Sequence, residues 1–156
     1  MPTTFPTYAA PDAGYAERVR ESFGRQPAMK MIGAYVSRVE PGFCEVTLPF
    51  DERITQQHGF VHGGITGMIA DSAAGYAAFT LMPPGSSPLT VEYKINMLNP
   101  AHGEAFIARA NVIKSGRTLV VTQGDVFALR DNAEILVASM QQTLIVMRDV
   151  PDTRRA

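Results

Sequence analysis

The chain reads as an α+β protein in which one long helix packs against an antiparallel sheet. Three observations predict this class. Residues 62–82 contain no proline and repeat apolar side chains at helical steps, six other segments carry strand-like composition, and the last three of those are joined by short turns. The order is a short helix, two strands, the long helix, then four strands.

Taken in order, Asp12 is placed to cap a short helix running to about Phe23, with Tyr15, Val19 and Phe23 four apart on one stripe and Gly24 as its stop. Segments 30–40 and 43–50 flank the turn dipeptide Pro41-Gly42 and are rich in β-branched and apolar residues, which predicts a hairpin. In the main helix Ile65, Met68, Ile69, Ser72, Ala73 and Tyr76 recur three and four apart, and Pro83-Pro84-Gly85 ends it. Residues 90–98 alternate Val91, Tyr93, Ile95 and Met97 with Glu92, Lys94 and Asn96, the pattern of a half-buried strand. Segments 104–114, 118–129 and 135–148 follow, separated by Ser115-Gly116-Arg117 and Arg130-Asp131-Asn132, so they should be antiparallel neighbours. The long helix is apolar all round and needs cover on more than one side, whereas one sheet covers only one face. A second subunit is the expected source of the remainder.

At 156 residues, 46% apolar and 19% charged, the chain has the size of one domain with a self-sufficient core. It is expected to comprise a loose arm over 1–11, the domain over 12–148 and a tail over 149–156. A formal net charge of −1 gives no broad field for nucleic acid or an anionic membrane, and the N-terminal stretch has neither the basic start nor the apolar run of a signal peptide or membrane span. The single cysteine, Cys44, cannot form an internal disulfide, so a cytoplasmic setting is expected. In its Phe-Cys-Glu-Val-Thr-Leu context Cys44 reads as packing, not as a nucleophile.

Asp71 is the only formally charged residue between Arg53 and Glu92, set in Met-Ile-Ala-Asp-Ser-Ala-Ala-Gly. A buried carboxylate without a partner is costly, so Asp71 needs a partner, a trapped water or a reaction, unless it faces solvent or bonds a local backbone group. Gly64, Gly67, Met68, Ala74 and Gly75 share its helical face and are small apart from Met68, which lets a ligand or a partner helix approach closely. His62-Gly63-Gly64 opens the helix, where backbone N–H groups are unpaired; it is either an oxyanion-binding turn or a glycine-rich cap beside a packed histidine. Nine helical residues place His62 about 13 Å from Asp71 and on the opposite side, and Gly63 is nearly as far. If both ends act on one carbonyl, they must come from different subunits, giving two equivalent composite sites under a twofold axis. His58 and His62 lack the intervening glutamate and further ligands of a zinc site, and there is no G-x-S-x-G elbow, Walker loop or G-x-G-x-x-G.

Residues 56–73 carry a family pattern. Gln56-Gln57-His58-Gly59-Phe60-Val61-His62-Gly63-Gly64, followed nine residues after the histidine by Asp71, resembles the N/Q-x-x-G-x-x-H-G-G motif and helical acid of PaaI-type acyl-CoA thioesterases of the hotdog fold. The strand ending Asn99-Pro100-Ala101 and the turn Gly116-Arg117-Thr118 also resemble family features, and the similarity spans roughly residues 28–147. The resemblance implies a hotdog, a long helix wrapped by an antiparallel sheet, dimerised through one continuous sheet and often paired again into a tetramer, with sites between subunits. It implies that Asp71 is the catalytic carboxylate, as general base or nucleophile, and that the Gly63 N–H polarises the thioester carbonyl. Gln56 would orient that carbonyl or His62, His62 would hold the turn, and Thr90 would position the water. In such relatives Asn at the first motif position tends to accompany Asp on the helix, and Gln to accompany Glu; this chain pairs Gln56 with Asp71.

The leading expectation is therefore hydrolysis of an acyl-CoA thioester by a homodimer or homotetramer, with no metal or redox cofactor. A thioester is already activated, so a desolvated carboxylate and a bound oxyanion suffice. Coenzyme A phosphates call for basic groups at the pocket mouth, first Arg117 and then Lys114. Phe60, Met68 and Tyr76 are candidate apolar walls, beside Gly64. A non-catalytic acyl-CoA sensor and a hotdog hydratase or dehydratase are the alternatives; Asp71 argues against the first and the HGG-then-Asp spacing against the second.

Overall fold

The computed structural model describes residues 4–153. Of the expected arm and tail, residues 1–3 and 154–156 lie outside the described residues. The elements are α1 (Tyr15–Gly24), α2 (Pro27–Ile32), β1 (Tyr35–Glu40), β2 (Phe43–Pro49), α3 (Gly63–Phe79), β3 (Ser87–Met97), β4 (Ala105–Ser115), β5 (Leu119–Arg130) and β6 (Ala133–Met147), with a single 3₁₀ turn at Glu52–Ile54. All six strands form one antiparallel sheet in the order β1-β2-β4-β5-β6-β3, and it wraps α3. This is the hotdog arrangement, and it is α+β as the sequence predicts.

The sheet's inner face alternates cleanly. Cys44, Val46 and Leu48 of β2, Phe106, Ala108, Ala110 and Val112 of β4, and Ala138, Met140 and Leu144 of β6 are buried against Ile69, Ala70, Ala73, Ala77 and Phe79 of α3. Alanine and glycine on the helix let the curved sheet approach closely, so one chain covers more of α3 than the apolar pattern alone suggests. What stays open is a narrow stripe containing Gly64, Met68, Asp71 and Gly75. Among the described residues no helix is long and apolar enough to cross a membrane.

Three local expectations are corrected. Asp12 is not the cap of α1: Gly14 occupies that position without a side-chain bond, while Asp12 pairs with Arg18 at 3.3 Å. The first strand does not begin near residue 30, because Pro27 starts α2 and Gly33, at φ 76°, ends it. The main helix ends at Phe79, where the Arg18 guanidinium donates to the Phe79 and Met82 carbonyls.

Strand β3 also departs from the half-buried pattern. It lies at the sheet edge, and Leu89, Val91, Tyr93 and Met97 are exposed, as is Leu98 just beyond it. Its pairing with β6 slips between Thr90 and Glu92, so Val91 is an extra residue on the edge strand. The bulge changes parity: Thr90 before it, and Tyr93 and Met97 after it, all face α3.

Candidate active site

The site begins at the start of α3. His62 is its N-cap, with φ −59° and ψ 136°, and its Nδ1 accepts from the Gly64 N–H at 2.9 Å. The His62 carbonyl accepts from the Ile65 and Thr66 N–H groups. The Gly63 N–H has no acceptor among the described residues, and it stands where the helix carries partial positive charge. A Cβ on Gly64 would come within 3.1 Å of His62 Nδ1, so glycine leaves room for the capping ring. A Cβ on Gly63 would meet only Met97 Cε at 3.5 Å, an ordinary contact, so the fold does not itself demand glycine there.

Two turns further along α3, Asp71 is half-buried on the open stripe. Its Oδ1 accepts from Thr90 Oγ1 and from Gln142 Nε2, both at 2.8 Å, and Gln142 Nε2 also donates to Thr90 Oγ1 at 2.9 Å. Oδ2 accepts from no described atom. The lone carboxylate therefore has partners on β3 and β6, and one oxygen is left over for other chemistry.

Helix α3 and strand β3 run antiparallel, which gives the site a front and a back. Thr90 faces Asp71, the Tyr93 hydroxyl lies 3.8 Å from where a Cβ of Gly67 would be, and Met97 reaches Gly63. Asp71, Thr90, Met68, Ser72, Gly75, Tyr76 and Leu144 line a cavity of about 310 Å³. Gly63, Gln56, Phe60, Thr66, Met97 and Leu98 line another of about 380 Å³. The two linings share no residue, so one chain holds Gly63 and Asp71 at separate places, as helical geometry predicts.

The remaining candidate residues fall as follows. Gln56 Oε1 accepts from the His58 N–H, closing the turn that its own N–H starts by donating to the Phe60 carbonyl, and it makes no bond to His62. Phe60 packs edge-on against His102. Lys114 and Arg117 lie at the exposed β4–β5 hairpin and line neither cavity. Tyr76 closes the far end of the Asp71 cavity, with its hydroxyl 2.9 Å from both Ser22 Oγ and Gln26 Nε2. Burial pushes the Tyr76 phenol above its ordinary value, so it serves there as a neutral hydroxyl. Burial likewise pushes the Cys44 thiol up to about 12, which leaves it without thiolate character. Among the described residues no three His, Cys, Asp or Glu side chains gather as a metal-ligand set.

Gln142 lies outside every motif that singles out the other site residues. Its signal was present: in strand β6 it falls on the inward parity of Ala138, Met140 and Leu144, where an amide is out of place. The polar residues at the cavity's far end, Ser22, Gln26 and Asp152, come from sequence-distant segments and had no local signal.

The chain is similar to known proteins over most of its length. The family model described as the thioesterase superfamily matches residues 58–135. A putative esterase of Saccharolobus solfataricus is 31% identical over 131 residues, 84% of this chain and 85% of that protein. The crystal structure of a thioesterase family protein from Silicibacter pomeroyi superposes with a TM-score of 0.85 at 50% identity, covering 86% of this chain and 99% of that one. The Escherichia coli PaaI protein, from the phenylacetic acid degradation operon, shares the fold at a TM-score of 0.75 and 20% identity, over 84% of this chain and 91% of its own.

Proposed function

The chain belongs to the thioesterase superfamily, and from that premise we propose that it hydrolyses an acyl-CoA thioester, using Asp71 of one subunit and the Gly63 N–H of another. The observation that carries the reading is the split along α3: an unpaired N–H at one end of the open stripe and a hydrogen-bonded carboxylate with a free oxygen at the other. The exposed apolar edge of β3 supports the partner. Antiparallel pairing of two copies of β3 about their middle sets the Thr90 end of each strand against the Met97 end of the other. Asp71 of one copy then lies near the partner copy's helix start, and each dimer holds two sites.

In this site the acyl carbonyl oxygen accepts from the Gly63 N–H, which makes its carbon more electrophilic. As general base, Asp71 Oδ2 removes a proton from water while the water oxygen bonds to that carbon and the carbonyl electron pair moves onto oxygen. Collapse reforms the carbonyl and breaks the C–S bond, and the sulfur takes the proton held on Asp71 Oδ2 and leaves as the thiol, which restores the carboxylate. As nucleophile, the same Oδ2 would bond to the acyl carbon and expel the thiolate as the C–S bond breaks, and water would hydrolyse the resulting anhydride to the free acid and restore Asp71. Thr90 serves both routes by holding Oδ1. Phe60, Met68 and Gly64 border the acyl group, His62 and Gln56 hold the two turns before α3, and Arg117 and Lys114 are offered to the phosphates of coenzyme A from the hairpin.

The test is a panel of aromatic, short and medium-chain acyl-CoAs with free-thiol detection, run on the native protein, Asp71→Ala and Asp71→Asn. Native turnover that falls by at least about 10²-fold in both variants is expected, given what a general base contributes. Binding without thiol release by the native protein would make it a sensor, and full turnover by Asp71→Ala would remove Asp71 from the chemistry.

A further inference from the structure

The amide of Gln142 is completely buried yet only half satisfied. Nε2 donates to Asp71 Oδ1 at 2.8 Å and to Thr90 Oγ1 at 2.9 Å, whereas Oε1 has no partner among the described residues. An unpartnered buried amide oxygen is destabilising, and an apolar side chain of similar bulk would suit the inward position between Met140 and Leu144. The fold gains nothing from that oxygen.

We propose that Gln142 is a positioning residue of the hydrolytic site, clamping Asp71 and Thr90 so that the carboxylate presents Oδ2 to the substrate; this rests on the reading of Asp71 as the catalytic carboxylate. Thr90 has a single O–H to give. The Gln142 N–H aimed at its oxygen fixes the hydroxyl rotor, so that proton stays on Asp71 Oδ1 at 2.8 Å and does not turn toward water or carbonyl. With two donors on Oδ1, rotation of the carboxylate is restrained and Oδ2 keeps one direction. The triangle joins three elements, α3 through Asp71, β3 through Thr90 and β6 through Gln142. It also spans the bulge: Gln142 is in register with Tyr93, and its amide reaches past Val91 to the residue on the far side.

The experiment uses the full chain and a thioester that the native protein turns over, with kcat and KM measured separately and thermal melting alongside. The variants are Gln142→Leu, Gln142→Met, Thr90→Val, the Gln142→Leu/Thr90→Val double variant and Asp71→Ala. Either Gln142 variant should lower kcat about ten- to a hundredfold, the range expected when a hydrogen bond to a charged group is lost. KM should stay within about twofold, because substrate contacts are untouched. Melting temperature should not fall, and the double variant should lose little more than the worse single one, since the two residues act through one triangle. Unchanged kcat in both Gln142 variants while Asp71→Ala is inactive would overturn this inference alone. Full activity of Asp71→Ala would overturn the parent reading and the positioning role with it. Failure of both apolar variants to fold would also overturn it, by showing that the amide serves the fold.

Discussion

His62 and Gly64 form the smallest unit whose role is open to a clean test. The imidazole accepts the Gly64 N–H and so does the work of a capping Asn or Asp, and the missing Cβ at Gly64 is what gives the ring its place. If capping is the whole role, His62→Ala should cost about 1 kcal/mol in a urea melt and lower thioester turnover, while His62→Asn, which can accept the same N–H, should restore both. A stable but inactive Asn variant would show instead that the imidazole touches substrate. At this scale the sequence was most informative where chemistry is local. The isolation of Asp71 and the His-Gly-Gly opening are both visible as strings, and a cap two residues away is a local event. The partners of Asp71 were legible to different degrees. Thr90 was suggested only by resemblance, and Gln142, 71 residues away, could be brought in only by sheet register.

Among the elements, the strands and the main helix announce themselves through periodicity, because alternation and the 3.6-residue repeat are consequences of facing one core. The bulge at Val91 does not. An unbroken alternation through Val91, Tyr93 and Met97 would turn Thr90 away from the helix, and only the extra residue puts Thr90 and Tyr93 on one face. Short α2 was missed because its six residues carry no helical repeat, and its evidence is a proline start and a left-handed glycine stop. The outer face of the sheet offers a second test. Arg109 of β4 binds Glu45 of β2 at 2.8 Å and both oxygens of Glu134 of β6 at 2.6 Å, so one guanidinium ties strands on either side of β5. The hydrogen bonds from Arg109 hold the Glu134 carboxyl below its ordinary 4.5. A lowered carboxylate value contributes stability above the unfolded value and loses it as pH falls through the folded one. Arg109→Met should therefore melt below the native protein at pH 7, and the gap should narrow as pH falls from 4.5 through the lower value of the paired carboxyl, where Glu134 takes up its proton in the native protein as well. A gap that is the same at both ends of that range would mean that Arg109 acts by packing on the Phe127 ring, 5.2 Å away, and not by charge.

For the molecule as a whole, the question is what covers the β3 edge. An edge strand with Leu89, Val91, Tyr93 and Met97 exposed is a template for another chain, although Pro88, Glu92 and Lys94 also lie along it. Here the exposed edge and the open stripe of α3 lie side by side, so in the proposed two-subunit site the surface to be covered and the half-site to be completed are one place. Assembly and catalysis should therefore fail together. Val91 tests this without touching the site, since it is the bulged residue, 56% exposed, and lines neither cavity. Two copies of Val91→Lys would bring like charges toward a twofold axis, in a contact that otherwise buries apolar surface at about 25 cal/mol per Å². Sedimentation should show the variant shifted toward monomer, and its specific activity should fall on dilution in step with the monomer fraction. Melting of the isolated chain should change little, because Val91 makes no core contact. A Val91→Lys monomer with native specific activity would mean that Asp71 finds its oxyanion donor within one chain. The separation of the two half-sites along α3 leaves no such donor at Gly63, so that result would overturn the composite site.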